Sequence, residues 1–198
     1  MKIYLVRHGQ SEWQVGTTQS LDSRLTKIGH MQSRCVSDWF ACEKPIGKKV
    51  YTDISALWIS PLIRAQETAF YVKRKLGLVP VIKPSLCEAQ FRVGDHLERS
   101  EIPLAGNKKY HPPKVYLDFK SQVELALADL LSVTSNRVVL VITHGAMIET
   151  MLRLIVGCDR VRFPHYNAGF TQLEWDDGLW HFKKINFCEH LPEVLRTE

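Results

Sequence analysis

Ile3-Tyr4-Leu5-Val6 is a short apolar run of strand formers, and it stops abruptly in Arg7-His8-Gly9, followed by Gln10-Ser11-Glu12-Trp13. A strand that ends this way puts an arginine and a histidine at its carboxyl end, the edge at which open α/β sheets bind ligands. Two later strands are predicted to end in a similar way. Ile54 to Ile59 runs into Ser60-Pro61-Leu62-Ile63-Arg64, and Val138-Val139-Leu140-Val141-Ile142 runs into Thr143-His144-Gly145. The last run is apolar without alternation, as expected of a central strand covered on both faces.

Between these strands the apolar spacing changes to the helical period. Thr26 is a predicted N-cap for a helix whose Ile28, Met31, Cys35, Trp39 and Phe40 form one face, and Lys44-Pro45-Ile46-Gly47 is expected to stop it. Ser60 as N-cap with Pro61 at the first helical position starts a second helix that runs to Leu76, with Gly77 at its C-terminal cap. A third strand is expected from Val79 to Ile82, and a third helix from Val115 to Leu131, with Phe119, Val123, Leu127, Leu130 and Leu131 inward. A fourth helix spans Ala146 to Val156 and closes at Gly157. Phe170 to Trp175 and Trp180 to Phe187 flank Asp176-Asp177-Gly178, a hairpin turn signal. From 85 to 114 the periodicity is lost, which marks a substrate loop or lid. The expected fold is α/β: one domain over residues 1–198, three layers α/β/α, with a mostly parallel central sheet and a C-terminal hairpin at its edge.

Composition narrows the functional classes. The 198 residues carry a formal net charge of +5, but the basic residues are dispersed, without the continuous stripe that nucleic acid requires. No apolar run approaches the roughly 20 residues that span a bilayer, and Arg7-His8 interrupts any leader-like segment. Five scattered cysteines without a C-x-x-C pair fit a reduced, cytoplasmic protein. The histidines lack metal-ligand spacing.

Three strand ends that bring Arg7, His8, Arg64 and His144 to one sheet edge make a plausible cradle for a dianion such as a phosphoryl group. Arginine forks pair two phosphate oxygens, and helix N-termini add backbone N–H groups.

The ordered set of motifs resembles the histidine phosphatase superfamily, the phosphoglycerate mutase-like fold. The resemblance is carried by Leu5-Val6-Arg7-His8-Gly9 with Ser11-Glu12-Trp13, and by Asp22-Ser23-Arg24-Leu25-Thr26-Lys27-Ile28-Gly29 with Gln32. Ser60 to Ala69, Thr143-His144-Gly145, Asn167, Trp180 and His190-Leu191 complete it. It implies that His8 attacks phosphorus and becomes a phosphohistidine, its other ring nitrogen held by a backbone carbonyl. Arg7, Arg64 and His144 would hold the phosphoryl oxygens, and Glu88 would be the acid. Ser11, Gln14, Gly145 and Arg92 are expected to contact substrate, and neither metal nor cofactor is implied. The chain departs from the family pattern after Glu88. Arg92 stands where a glycine is common, no tryptophan follows, and Asp95 becomes a second candidate acid. Gln14 replaces a common asparagine.

Glu88 and His144 are 56 positions apart (144 − 88), and one helix must come from that span, leaving little chain to enclose a substrate as mutases do. The implied activity is hydrolysis of a small phosphomonoester, with a phosphoglycerate mutase-type transfer or a catalytically weakened phospho-ligand-binding protein as alternatives. Arg92, His96, Arg99, Lys108 and Lys109 give the irregular segment a basic character, suited to substrates with a second negative charge. Oligomeric state is not legible.

Overall fold

The computed structural model describes residues 1–41, 54–103, 110–132 and 137–198. Six strands form one sheet: β1 (Lys2–Arg7), β2 (Ile54–Ile59), β3 (Pro80–Ile82), β4 (Val138–Thr143), β5 (Phe170–Asp176) and β6 (Leu179–Phe187), in the order β3-β2-β4-β1-β5-β6. β3, β2, β4 and β1 run parallel; β5 and β6 are antiparallel additions at the β1 side. The hairpin turn carries Asp177 and Gly178 at positive φ (49° and 73°), the backbone shape that Asp-Gly adopts readily.

Four helices cover the two faces: α1 (Lys27–Ala41), α2 (Ile63–Leu76), α3 (Lys114–Ser132) and α4 (Gly145–Val156). Alternation along each strand decides which residues meet which layer. Ile3, Leu5, Val139 and Val141 pack with Phe119 and Val123 of α3 and Met147 and Met151 of α4. Tyr4, Val6, Leu140 and Ile142 pack with Val36 and Phe40 of α1 and Ala65, Ala69 and Val72 of α2. Every residue of β4 is buried, as its unbroken apolar run requires.

Three local expectations are corrected. α1 is turned relative to its predicted apolar face. Gly29, Gln32, Ser33, Val36, Ser37 and Phe40 are buried, while Met31 is exposed and Ile28, Cys35 and Trp39 only partly covered. Small residues let α1 approach α2 closely, and Ser33 and Ser37 satisfy their hydroxyls on the carbonyls of Gly29 and Tyr71. In α3, Tyr116 and Ala126 are inward, Leu127 is half-buried and Leu131 is exposed. α2 begins at Ile63, two residues later than Pro61, and Ser60 is not its cap. Asp22 supplies that end, its Oδ1 accepting from Ile63 N at 2.7 Å.

Other boundaries match. Thr26 Oγ1 accepts from Gly29 N at 3.0 Å, an N-cap bond, and Gly77 and Gly157 close α2 and α4 in the left-handed region. Between β3 and α3 the chain makes two short 3₁₀ turns, Pro84–Leu86 and Val93–His96. The predicted stop of α1 at 44–47, Cys42 and the Lys108-Lys109 pair lie outside the described residues.

Candidate active site

The site follows from strand register. β1 and β4 are parallel neighbours with Arg7 opposite Thr143, so the next residues, His8 and His144, leave the sheet side by side. β2 adjoins β4 with Ile59 opposite Ile142, which brings Ser60 to the same edge. The two imidazoles are 5.0 Å apart between ring centroids, at 63°.

His8 is held at both nitrogens. Nδ1 lies 2.7 Å from the carbonyl of Gly9. A carbonyl only accepts, so Nδ1 carries the proton and Nε2 keeps its lone pair. Arg64 Nε donates to that Nε2 at 3.0 Å. Burial, then the cations of Arg64 and Arg7, hold His8 well below the usual imidazole range, so the ring is neutral. The loop that orients it leaves no room for side chains. A Cβ on Gly9 would stand 2.4 Å from the Gly29 carbonyl oxygen, and one on Gly29 would stand 2.1 Å from that of Gln10. Thr68 Oγ1 accepts from Gly9 N at 3.0 Å, tying this loop to α2.

His144 is fully buried, and Ser60 Oγ lies 2.7 Å from its Nε2. Ser60 Oγ also accepts from Leu62 N at 3.3 Å. Ser60 Oγ, with one proton and two lone pairs, can serve both contacts as donor or acceptor to Nε2, and His144 Nδ1 has no partner among the described residues. Burial first, then His8, Arg64 and Arg7, holds His144 well below its usual range. Arg7 donates through Nη1 to the carbonyl of His165, while its Nε is buried without a partner among the described residues, beside Gly145, where a Cβ would come within 3.4 Å of it.

Glu88 closes the group. Its Oε1 accepts from Ala89 N at 3.0 Å and its Oε2 from Ala146 N at 3.2 Å. The first turn of α4 therefore directs one of its N–H groups at Glu88. Burial pushes this carboxyl above the ordinary carboxylate range, outweighing the two backbone donors and the cations of Arg64 and Arg7. Asp95 lies in the Val93–His96 turn, exposed, on the wall of the same cavity.

Arg7, His8, Arg64, Glu88 and Asp95 line a cavity of about 550 Å³, large enough for a small organic ligand, while His144, Ser60 and Thr68 lie behind its wall. Ser11 and Gln14 are on its wall, but their polar atoms are engaged with one another. Ser11 N and Oγ both donate to Gln14 Oε1, and Gln14 Nε2 donates to the Glu198 carbonyl. The Asn167 amide, itself buried, lies within hydrogen-bonding distance of the Gln14 amide. Gly145 and exposed Arg92 also line the cavity. Among the described residues, no three His, Cys, Asp or Glu side chains converge as a metal site.

The histidine phosphatase superfamily (branch 1) matches residues 3–187, nearly the whole chain and every element just described. The chain belongs to that superfamily. As a histidine phosphatase it is similar to a phosphatase of Bacillus subtilis, the "uncharacterized phosphatase PhoE", at 28% identity over 98% of each chain. Its fold is similar to the solved structures of Bacillus stearothermophilus YhfR (TM-score 0.71, 20% identity) and of the Entamoeba histolytica phosphoserine phosphatase in complex with 3-phosphoglyceric acid (TM-score 0.71, 19% identity). Both comparisons cover 96% of this chain and 99% of the other. Among the described residues no helix is long and apolar enough to cross a membrane.

Several residues of this histidine phosphatase site were not singled out from the sequence. Ser60 read as a helix cap, and Thr68 appeared only as part of a longer motif. Glu149, Arg153, Arg162 and His165, all on the cavity wall, had no local signal, because each reaches it through tertiary packing.

Proposed function

We propose that the protein hydrolyses small phosphomonoesters through a phosphohistidine on His8 Nε2, without a metal ion. The observation that carries this reading is the pairing at His8: Nδ1–H fixed on the Gly9 carbonyl and the Nε2 lone pair held at the cavity wall by Arg64. That is the tautomer and direction a nitrogen nucleophile needs.

In the first step Nε2 forms a bond to phosphorus as the ester P–O bond breaks. Glu88, kept protonated by its burial, gives its proton to the leaving oxygen. In the second step water attacks phosphorus and its proton passes to the Glu88 carboxylate. The N–P bond breaks, and inorganic phosphate leaves with the His8 lone pair restored. Arg7 and Arg64 donate to the phosphoryl oxygens as charge builds on them, and with Ser60 as donor to Nε2 the Nδ1–H of His144, whose ring is 5.0 Å from that of His8, joins them from behind the cavity wall. His144 needs no positive charge for this, since a neutral imidazole still has one N–H. Arginine cations supply the positive charge, so the chemistry calls for no cofactor. The names of the relatives support small phosphorylated substrates.

The test is mass spectrometry after a quench that avoids acid. With a phosphomonoester, wild type should carry phosphate on His8 and release inorganic phosphate, and His8→Ala should do neither. Efficient transfer to a second substrate hydroxyl with little free phosphate would replace hydrolysis by mutase chemistry. Tight phosphate binding with neither label nor turnover would leave a binding protein.

A further inference from the structure

The phosphoryl cradle occupies only one end of the cavity, and the character of the other end is set by α4. Gly145, Ala146, Glu149 and Arg153 line the cavity from one face of that helix. A Cβ on Gly145 would stand 3.4 Å from Arg7 Nε, and Ala146 N donates to Glu88, so the start of α4 is level with the reacting group. Arg153 leans back along the helix, its Nη1 on Glu149 Oε2 at 3.3 Å and its Nη2 on Thr150 Oγ1 at 2.7 Å. Its guanidinium is thus about 5 Å along the axis beyond Ala146, from 1.5 Å per residue. That is the reach of a few bonds from a phosphoryl group.

Arg153 is 1% exposed, and its Nε has no hydrogen-bond partner among the described residues. A buried cation with a vacant donor is costly unless a further acceptor completes it. The same cavity is lined by Arg92 and Arg162, both exposed, whose side chains form no ion pair or hydrogen bond among the described residues. Arg162 packs against Gly94, its Nη1 3.9 Å from where a Cβ would be, which places it over the Val93–His96 turn. Glu149 is committed to Arg153, and Asp159, which reaches Arg153 only through the Tyr116 hydroxyl, is paired with Lys120, so Asp95 is the carboxylate left on the cavity wall at this end. Positive charge is in excess where the leaving group must lie.

We infer that Arg153, Arg162 and Arg92 form a second anion subsite that recognises an acidic group, a carboxylate or a second phosphate, on the leaving part of the substrate. The inference rests on the proposed phosphatase reading for the chemistry at His8, but its own content is a binding preference.

Two matched pairs test it: glycerol 3-phosphate against 3-phosphoglycerate, and fructose 6-phosphate against fructose 1,6-bisphosphate. Binding is measured by calorimetry on His8→Ala protein and KM on wild type. Arg153→Lys is buried and risks the fold, so Arg92→Gln and Arg162→Gln, at exposed positions, carry the comparison. The subsite predicts at least tenfold tighter binding of the more anionic member of one pair or both. The pair that shows it identifies the acidic group, and the double substitution should bring that ratio close to one. Equal affinity within both pairs, or a preference that survives both substitutions, overturns it. Preference on the His8→Ala protein with no phosphate release by wild type would keep the subsite and remove the phosphatase reading.

Discussion

Arg64 Nε lies 3.0 Å from His8 Nε2, so one guanidinium contacts the nucleophilic nitrogen itself while its Nη1 is tied to the Leu21 carbonyl at 2.6 Å. The contact keeps His8 neutral and aimed, and phosphate binding must exchange it for an oxygen. Arg64→Ala should lower kcat/KM about 10²–10³-fold, the range for losing one preorganised donor. Arg64→Lys should recover little, because a single ammonium cannot replace the planar fork. Steady-state kinetics with one phosphomonoester decides both.

Glu88 and His8 are displaced in opposite directions, and the sign of each sets the pH profile. The nucleophile must be neutral, and its pKa is lowered, so the rising limb of kcat/KM falls well below the usual histidine range. The acid must be protonated, and its pKa is raised, so the falling limb lies above the ordinary glutamate range. Glu88→Gln should remove the falling limb and slow turnover about 10²–10⁴-fold with an alkyl phosphate. An aryl phosphate, whose leaving group needs less help, should lose less. Substituting Asp95 with the alkaline limb retained would keep the acid at Glu88.

Ser60 and His144 make a prediction that a helix cap would not. Ser60→Ala removes the hydroxyl that lies 2.7 Å from His144 Nε2 and orients its ring, and kcat should fall roughly tenfold with KM little changed, in line with a lost buried hydrogen bond. Since Asp22 holds the start of α2, the same substitution should leave the helix content by circular dichroism unaltered.

Gly9 and Gly29 face each other across the loop that carries the Gly9 carbonyl. An alanine at either position meets a backbone oxygen at 2.4 Å or less, and neither oxygen is free to move. Each single substitution should destabilise by about 1–3 kcal/mol, roughly 2–12 °C in Tm for a chain of this size. Gly9→Ala should also depress kcat, since it moves the acceptor that orients His8.

Acid should destabilise the protein through its buried histidines. His165 and His190 are both held down to about 4, chiefly by burial, and His8 and His144 are lowered as well. These groups bind protons more readily unfolded, so the stability present above pH 6.5 is lost as pH falls toward 4. The contribution of His165 is on the order of 3 kcal/mol, from 1.36 kcal/mol per pKa unit. Glu88 acts with the opposite sign and offsets part of the loss. Thermal melts from pH 7 to 4.5 should show a falling Tm, and His165→Asn should flatten the slope.

The layer architecture and most element boundaries were legible in the sequence because they depend on local signals. The apolar run of β4, the glycines after α2 and α4 and the Asp176-Asp177-Gly178 turn each fix backbone shape within a few residues. The α1 face was misread because Gly29, Ser33 and Ser37 carry no apolar signal. Their value is close approach, of Gly29 to the Gly9–Gln10 loop and of Ser37 to α2, which exists only once those parts of the chain are in place.

By itself, the sequence determined that Arg7, His8 and His144 stand at strand ends and that Arg64 follows another. Only the tertiary structure decided that those ends align, since register between β1 and β4 is set by hydrogen bonds across more than 130 residues of chain. The same long-range packing took Ser60 from a helix end to His144 and carried Arg153 and Arg162 to the cavity wall. Side-chain type is written locally; what a side chain meets depends on parts of the chain that no local pattern contains.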